Sequence, residues 1–119
     1  MLKAEQRSLL HKFVIHDLAI QSLQRDFAVI ENLKMVKVYA PIIDGLLKAI
    51  TNDYYNTKRL LAKDKIKFVK WEKVGEYFSD LTVTTPGEDE VLRYANQALK
   101  TQVEELLLSH IKKWPGLTS

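Results

Sequence analysis

The chain has no cysteine. That excludes disulfides, thiolate nucleophiles, cysteine-ligated zinc and iron–sulfur clusters. Glycine and proline are scarce, four and three in 119 residues, which favours a few long elements over many short strands. No two of Gly45, Gly75, Gly87 and Gly116 lie within ten residues of each other. A glycine-rich phosphate loop or a dinucleotide-binding turn needs them closer, so neither is present. A Gly-x-Ser-x-Gly nucleophile turn is also missing. No apolar run approaches the ~18–20 residues of a membrane span. The opening Met1–Lys12 carries Glu5 ahead of any hydrophobic stretch, unlike a secretory signal, and a cytoplasmic protein is expected.

What is there is an ordinary globular balance, 46% apolar and 28% charged. The length suits one domain, residues 1–119, able to fold around its own core without metal or disulfide. No cofactor and no small-molecule ligand is expected.

Leu9, Phe13, His16, Ile20, Leu23, Phe27 and Ile30 recur at alternating spacings of four and three. That puts them on one stripe of an α-helix over about residues 3–32. Leu10, Val14, Ile15, Leu18 and Ala19 widen the stripe, as suits a helix with several neighbours. Residues 33–40 have no decisive period, and the alternation of Met35 or Val36 with Lys37 and Val38 leaves a short extended piece open. Pro41 then opens a second helix over about 41–63, since a first-turn proline loses no helical hydrogen bond. Its apolar face is Ile43, Leu46, Leu47, Ile50, Tyr54 and Leu61. From Lys65 the period changes. Ile66 and Phe68 alternate with lysines, and Leu81 and Val83 with Asp80, Thr82 and Thr84. Two strands, about 65–72 and 76–84, with a turn near Val74-Gly75 are predicted. Thr85-Pro86-Gly87-Glu88 has the spacing of a capping box, so a third helix is expected from there. Glu88, Asp89 and Glu90 would sit on the positive end of its dipole, Leu92, Ala95, Leu99, Val103, Leu106 and His110 would form its apolar seam, and Trp114-Pro115-Gly116 would stop it. The expected fold is α+β, mostly helical, ordered α-α-β-β-α, with three packed helices and one antiparallel hairpin.

Reactive constellations are missing. His11 and His16 are five residues apart, about 140° around a helix, so they cannot share one ion. His16 and His110 lie on two predicted seams and would meet where those helices pack; a core histidine bonded to a carbonyl is the plainer reading. Glu104 and Glu105 read as a solvated face, with Lys100 as an i, i+4 partner. Tyr54 is expected in the core and Tyr55 at its boundary. No catalytic residue and no metal ligand is assigned, and no enzyme is expected.

Charge is more informative. Residues 58–73 hold seven cations against two carboxylates, a net +5, and residues 74–90 hold five carboxylates and no cation. A basic helix end running into a hairpin resembles, in topology, the recognition helix and wing of winged-helix DNA-binding domains, over about residues 41–85. The resemblance implies phosphate contacts from Lys58, Arg59, Lys63, Lys65, Lys67 and Lys70, with Trp71 or Tyr55 stacking on bases. The competing expectation is protein–protein contact. The first and third helices offer more apolar surface than three helices and a hairpin cover, and an uncovered stripe marks an interface. A homodimer through Leu9, Phe13, Ile20, Phe27 and Leu106 is the economical solution. The expected function is therefore a non-catalytic regulatory or accessory binding protein that dimerises and docks on a protein partner. The alternative is a small DNA- or RNA-binding regulator.

Overall fold

Two long helices set the frame of the computed structural model, which describes residues 2–113. α1 (Ala4–Ile30) follows the heptad stripe, and the Gln6 side chain accepts the backbone N–H of Lys3 at its start (2.9 Å). α2 (Val36–Lys63) returns antiparallel to it: Phe13 stacks on Tyr54, and His16 faces Asp53. The stretch 33–40, open in sequence to an extended piece, is a turn at 31–35 followed by helix. Pro41 therefore sits in the second turn of α2, not at its start. It is exposed, and the only ladder bond it removes is the one to the Lys37 carbonyl.

α2 ends in a Schellman turn. The Ile66 N–H reaches the Leu61 carbonyl and the Lys65 N–H reaches that of Ala62, both at 3.0 Å. Lys65 takes the left-handed backbone (φ 57°) usually reserved for glycine, and Ile66 packs back, buried, on buried Leu61.

The expected hairpin forms as β1 (Lys67–Lys73) and β2 (Phe78–Thr85), with Val69 bulged out between Phe68 and Lys70. The reading of residues 85–95 is corrected. Thr85-Pro86-Gly87-Glu88 is a tight β-turn, and Glu88–Ala95 is a third strand, β3, antiparallel to β2. Proline then glycine at the two central positions, with Gly87 at φ 99°, fits a type II turn. The Thr85 hydroxyl donates to the Glu88 carbonyl across it (2.9 Å). Glu88, Asp89 and Glu90 thus lie on a strand rather than a helix dipole, and Leu92 pairs with Leu81. The order is α-α-β-β-β-α: the mostly helical α+β class with three helices stands, and the sheet is ordered β1-β2-β3.

α3 (Asn96–Lys112) carries the rest of the expected seam, with Leu99 and Val103 buried. The expected stop at Trp114-Pro115-Gly116 lies outside the described residues. Asn96 ties the start of α3 to the β1–β2 turn. Its Nδ2 donates to the Glu76 carbonyl (3.0 Å), its backbone N–H to that of Tyr77 (2.8 Å), and Ser79 donates to its Oδ1 (2.6 Å).

The helices cover one face of the sheet. Ser79, Leu81, Val83 and Thr85 on β2 are buried, while Asp80, Thr82 and Thr84 between them are not. One core joins Leu10, Val14 and Leu23 of α1, Leu46 and Ile50 of α2, Leu81 and Val83, and Leu99 and Val103 of α3. The other sheet face meets solvent, as antiparallel sheets allow; there Arg93 holds Asp80 in a two-pronged pair (2.8 and 3.0 Å). Leu81→Ala is expected to destabilise by about 3 kcal/mol through transfer and cavity terms. Val91→Ala on the open face is expected to change stability by less than about 0.5 kcal/mol. Urea melts of the two variants check which face the helices cover.

Candidate interaction surface

The core stops short of one end of the molecule. Buried positions on α1 run from Leu10 to Leu23, and on α2 from Leu46 to Leu61. Residues 24–45, the ends of both helices and their turn, contain no buried residue. They form a projecting tip, and the molecule is correspondingly long, 52 × 31 × 21 Å. Its radius of gyration of 16.1 Å exceeds the roughly 13–14 Å of a compact chain of this length.

The tip is apolar and bare. Val29 is 64% exposed, Met35 60% and Val38 54%, with Leu33 and Tyr39 also open. Val29, Ile30, Tyr39, Ile42 and Ile43 line a shallow hollow of about 340 Å³ beside Asp26. The charges of residues 24–45 cancel: Arg25, Lys34 and Lys37 against Asp26, Glu31 and Asp44.

Of the residues expected at an interface, Phe13 is buried in the chain's own core against Tyr54, ring centroids 5.0 Å apart, so it is not offered to a partner. Leu9, Ile20 and Leu106 are half-buried and pack on that core. Phe27, half-buried, lies at the base of the tip. The open residues Val29, Leu33, Met35, Val38 and Tyr39 were not singled out by sequence reasoning. Nothing in the sequence singles them out, because their exposure follows from where α3 and the sheet end along α1 and α2.

The cations gather at the opposite end. Lys58, Arg59, Lys63, Lys65, Lys67 and Lys70 are all exposed. The Schellman corner joins the last turn of α2 to the edge strand β1. Lys70 pairs with Glu72 on its own strand (3.4 Å), and Arg59 with Asn56. Trp71 is half-buried on the helix-covered face, close to Tyr94, and Tyr55 is exposed. The winged-helix likeness does not extend to the architecture: α2 lies along α1 rather than across it, and a third strand follows the hairpin.

The seam histidines do not converge. His16 is buried, and its Nδ1 donates to the Lys12 carbonyl (2.8 Å). Its Nε2 is buried without a hydrogen-bond partner and faces Asp53 at 3.8 Å, beyond hydrogen-bond reach. Its neighbour is thus Asp53 rather than His110. His11 stacks on Tyr94 and bonds Gln102 of α3. Among the described residues, no cluster of three histidine or carboxylate side chains is placed to hold a metal ion.

Asp17 sits on α1 near Tyr54. Burial holds its carboxyl above the ordinary value, against a hydrogen bond from Gln21 that lowers it. Such a carboxyl costs stability wherever it is ionised in both folded and unfolded states. The cost disappears once it is protonated in both. Asp17→Asn keeps an acceptor for Gln21, so it is expected to be modestly more stable than the parent at neutral pH. Its advantage should fade as pH falls through the raised value towards 3.8. Urea melts at about pH 7 and about pH 3 check the sign.

The fold and surfaces define a small, mostly helical α+β protein with one bare helical tip and one cationic end. The chain belongs to the YhjD protein family, whose sequence model matches residues 1–114. It is similar to uncharacterized protein YhjD of Bacillus subtilis (strain 168), 31% identical over 112 residues that make up 92% of each chain. No solved structure matches it. No helix among the described residues is long and apolar enough to cross a membrane.

Proposed function

We propose that this is a non-catalytic accessory or regulatory protein of the cytoplasm that works through protein–protein contacts, first of all by pairing its α1–α2 tip with that of a second copy. The observation that carries this is the set of open apolar side chains at the tip, Val29, Leu33, Met35, Val38 and Tyr39. Scattered surface hydrophobics need no explanation, but several on one projection do. The balanced charge of the tip favours a copy of itself as occupant. A patch of one sign would repel its own image, whereas three cations and three carboxylates allow each to find an opposite across a two-fold axis. Two helical hairpins meeting there make a short four-helix contact. Light scattering is expected to give about twice 13.8 kDa for the parent. The double variant Leu33→Asp, Val38→Asp should run as a monomer with stability changed by less than about 1 kcal/mol, since both sites are on the surface. A parent chain that stays monomeric at high concentration rules out self-pairing.

A second reading, a nucleic-acid-binding regulator, is favoured by the six exposed cations clustered along the end of α2, the corner after it and β1. Each phosphate they neutralise should steepen the fall of affinity with salt by about 0.9 in log–log slope. Lys63→Glu with Lys67→Glu should abolish binding to duplex DNA. No binding of the parent at about 50 mM salt, where such contacts are strongest, ends this reading.

A further inference from the structure

The edge strand β1 stands away from α2 and leaves a groove between them of about 510 Å³, floored by α1. This is within the size range of small-molecule sites, roughly 300–1,000 Å³. Its floor is apolar: Leu10, Phe13 and Leu61 are buried, and Ile66 closes one end. Its lip is Phe68. Phe68 pairs with Val83, whose side chain is fully buried, so strand parity turns Phe68 towards the helices as well. Yet Phe68 is 48% exposed: an inward-facing aromatic at the sheet's edge, with the groove beneath it rather than a neighbour. The bulge at Val69 directly follows it, a feature that bends an edge strand and re-aims its side chains.

The polar groups of the groove are few and placed apart. Lys58 reaches it from α2; Lys67 pairs with Thr84 on the open face, so strand parity turns its side chain away from the groove. Asp17 lies further along α1, beside Tyr54, with its carboxylate held by Gln21 (2.9 Å). An anionic group is attracted at the lysine end and repelled at the Asp17 end, which gives the groove a direction. We propose that the groove binds a small amphipathic carboxylic acid, its apolar body laid between Phe13 and Phe68 and its carboxylate on Lys58. A neutral or cationic molecule of the same shape lacks the attraction and is disfavoured.

The groove is remote from the α1–α2 tip, so this inference is independent of self-pairing. Decanoate, below its micelle concentration, is the probe. Titration calorimetry on the full chain is expected to show saturable one-to-one binding, with decanol and decylammonium at least tenfold weaker. Lys58→Met, at an exposed site and safe for folding, should weaken decanoate about three- to fivefold, the effect of removing one partly screened charge. Ala62→Trp, which places a ring over the groove from the exposed side of α2, should block it; the circular dichroism melt checks that the variant folds. The monomeric tip variant should bind as the parent does. Equal affinity for decanol, full affinity in the lysine or tryptophan variant, or no saturable binding of decanoate overturns the assignment.

Discussion

A mismatch in length governs this molecule. α1 has 27 residues and α2 has 28, so each spans about 40 Å. The eight-residue strands reach about 26 Å at most, and the 17 residues of α3 about 25 Å. Even laid lengthwise, the sheet and α3 cover some five-eighths of the α1–α2 pair. The remaining three turns or so of each helix have only each other. That is why burial on both helices stops near Leu23 and Leu46. The tip holds its shape by helix propensity and pairwise packing between the two helices, while apolar side chains remain in water.

Within the covered part, the sheet is held by its one buried face and by polar ties at its corners. Leu81 and Val83 are fully buried and contribute transfer energy of roughly 1.5–3 kcal/mol each. Asn96 joins the β1–β2 turn and the start of β2 to α3 through three hydrogen bonds, each with a net worth of about 1 kcal/mol. The Asp80–Arg93 pair crosses from β2 to β3 on the open face, where the hydrogen bond from Arg93 holds the Asp80 carboxyl below its ordinary value. Being exposed, it fixes geometry more than it adds stability. The Schellman corner at Lys65 accepts a left-handed lysine because Ile66 on Leu61 returns apolar contact for the backbone strain.

The long-range pattern was legible where a period ran without interruption. The heptad stripe of α1 placed that helix within two residues at each end, and the switch to alternation at Lys65 placed the first hairpin. Misreadings fell where a short motif serves two geometries. Thr-Pro-Gly-Glu fits a capping box by spacing and a type II turn by its glycine. The alternation of Glu90, Leu92 and Tyr94 against Val91 and Arg93, which decides for a strand, was masked by residues that also fit a helical seam. Pro41 misled because a proline one turn inside a helix differs from one at its start by a single exposed hydrogen bond. As for the site, the cationic end was readable from charge counts alone. The bare tip was not, because exposure depends on what α3 and the sheet leave uncovered, and the late start expected for α2 gave residues 33–40 to a connector.

The partition of charge along the long axis has a consequence for any assembly built on the tip. The tip is neutral, while the far end carries the exposed cations of α2 and β1. In the proposed two-fold arrangement the tips meet and the cationic ends point away from each other, so like charges are kept as far apart as the molecule allows. At separations beyond the Debye length, about 8 Å at physiological salt, their mutual repulsion is screened out. The alternative pairing, through the sheet edges, would bring lysine-rich β1 against its own copy, or against the carboxylates of β3 in an open-ended array. Lysines on one edge and a bulge at Val69 oppose the first of these. The tip is thus where the proposed second copy would gain apolar burial at the least electrostatic cost.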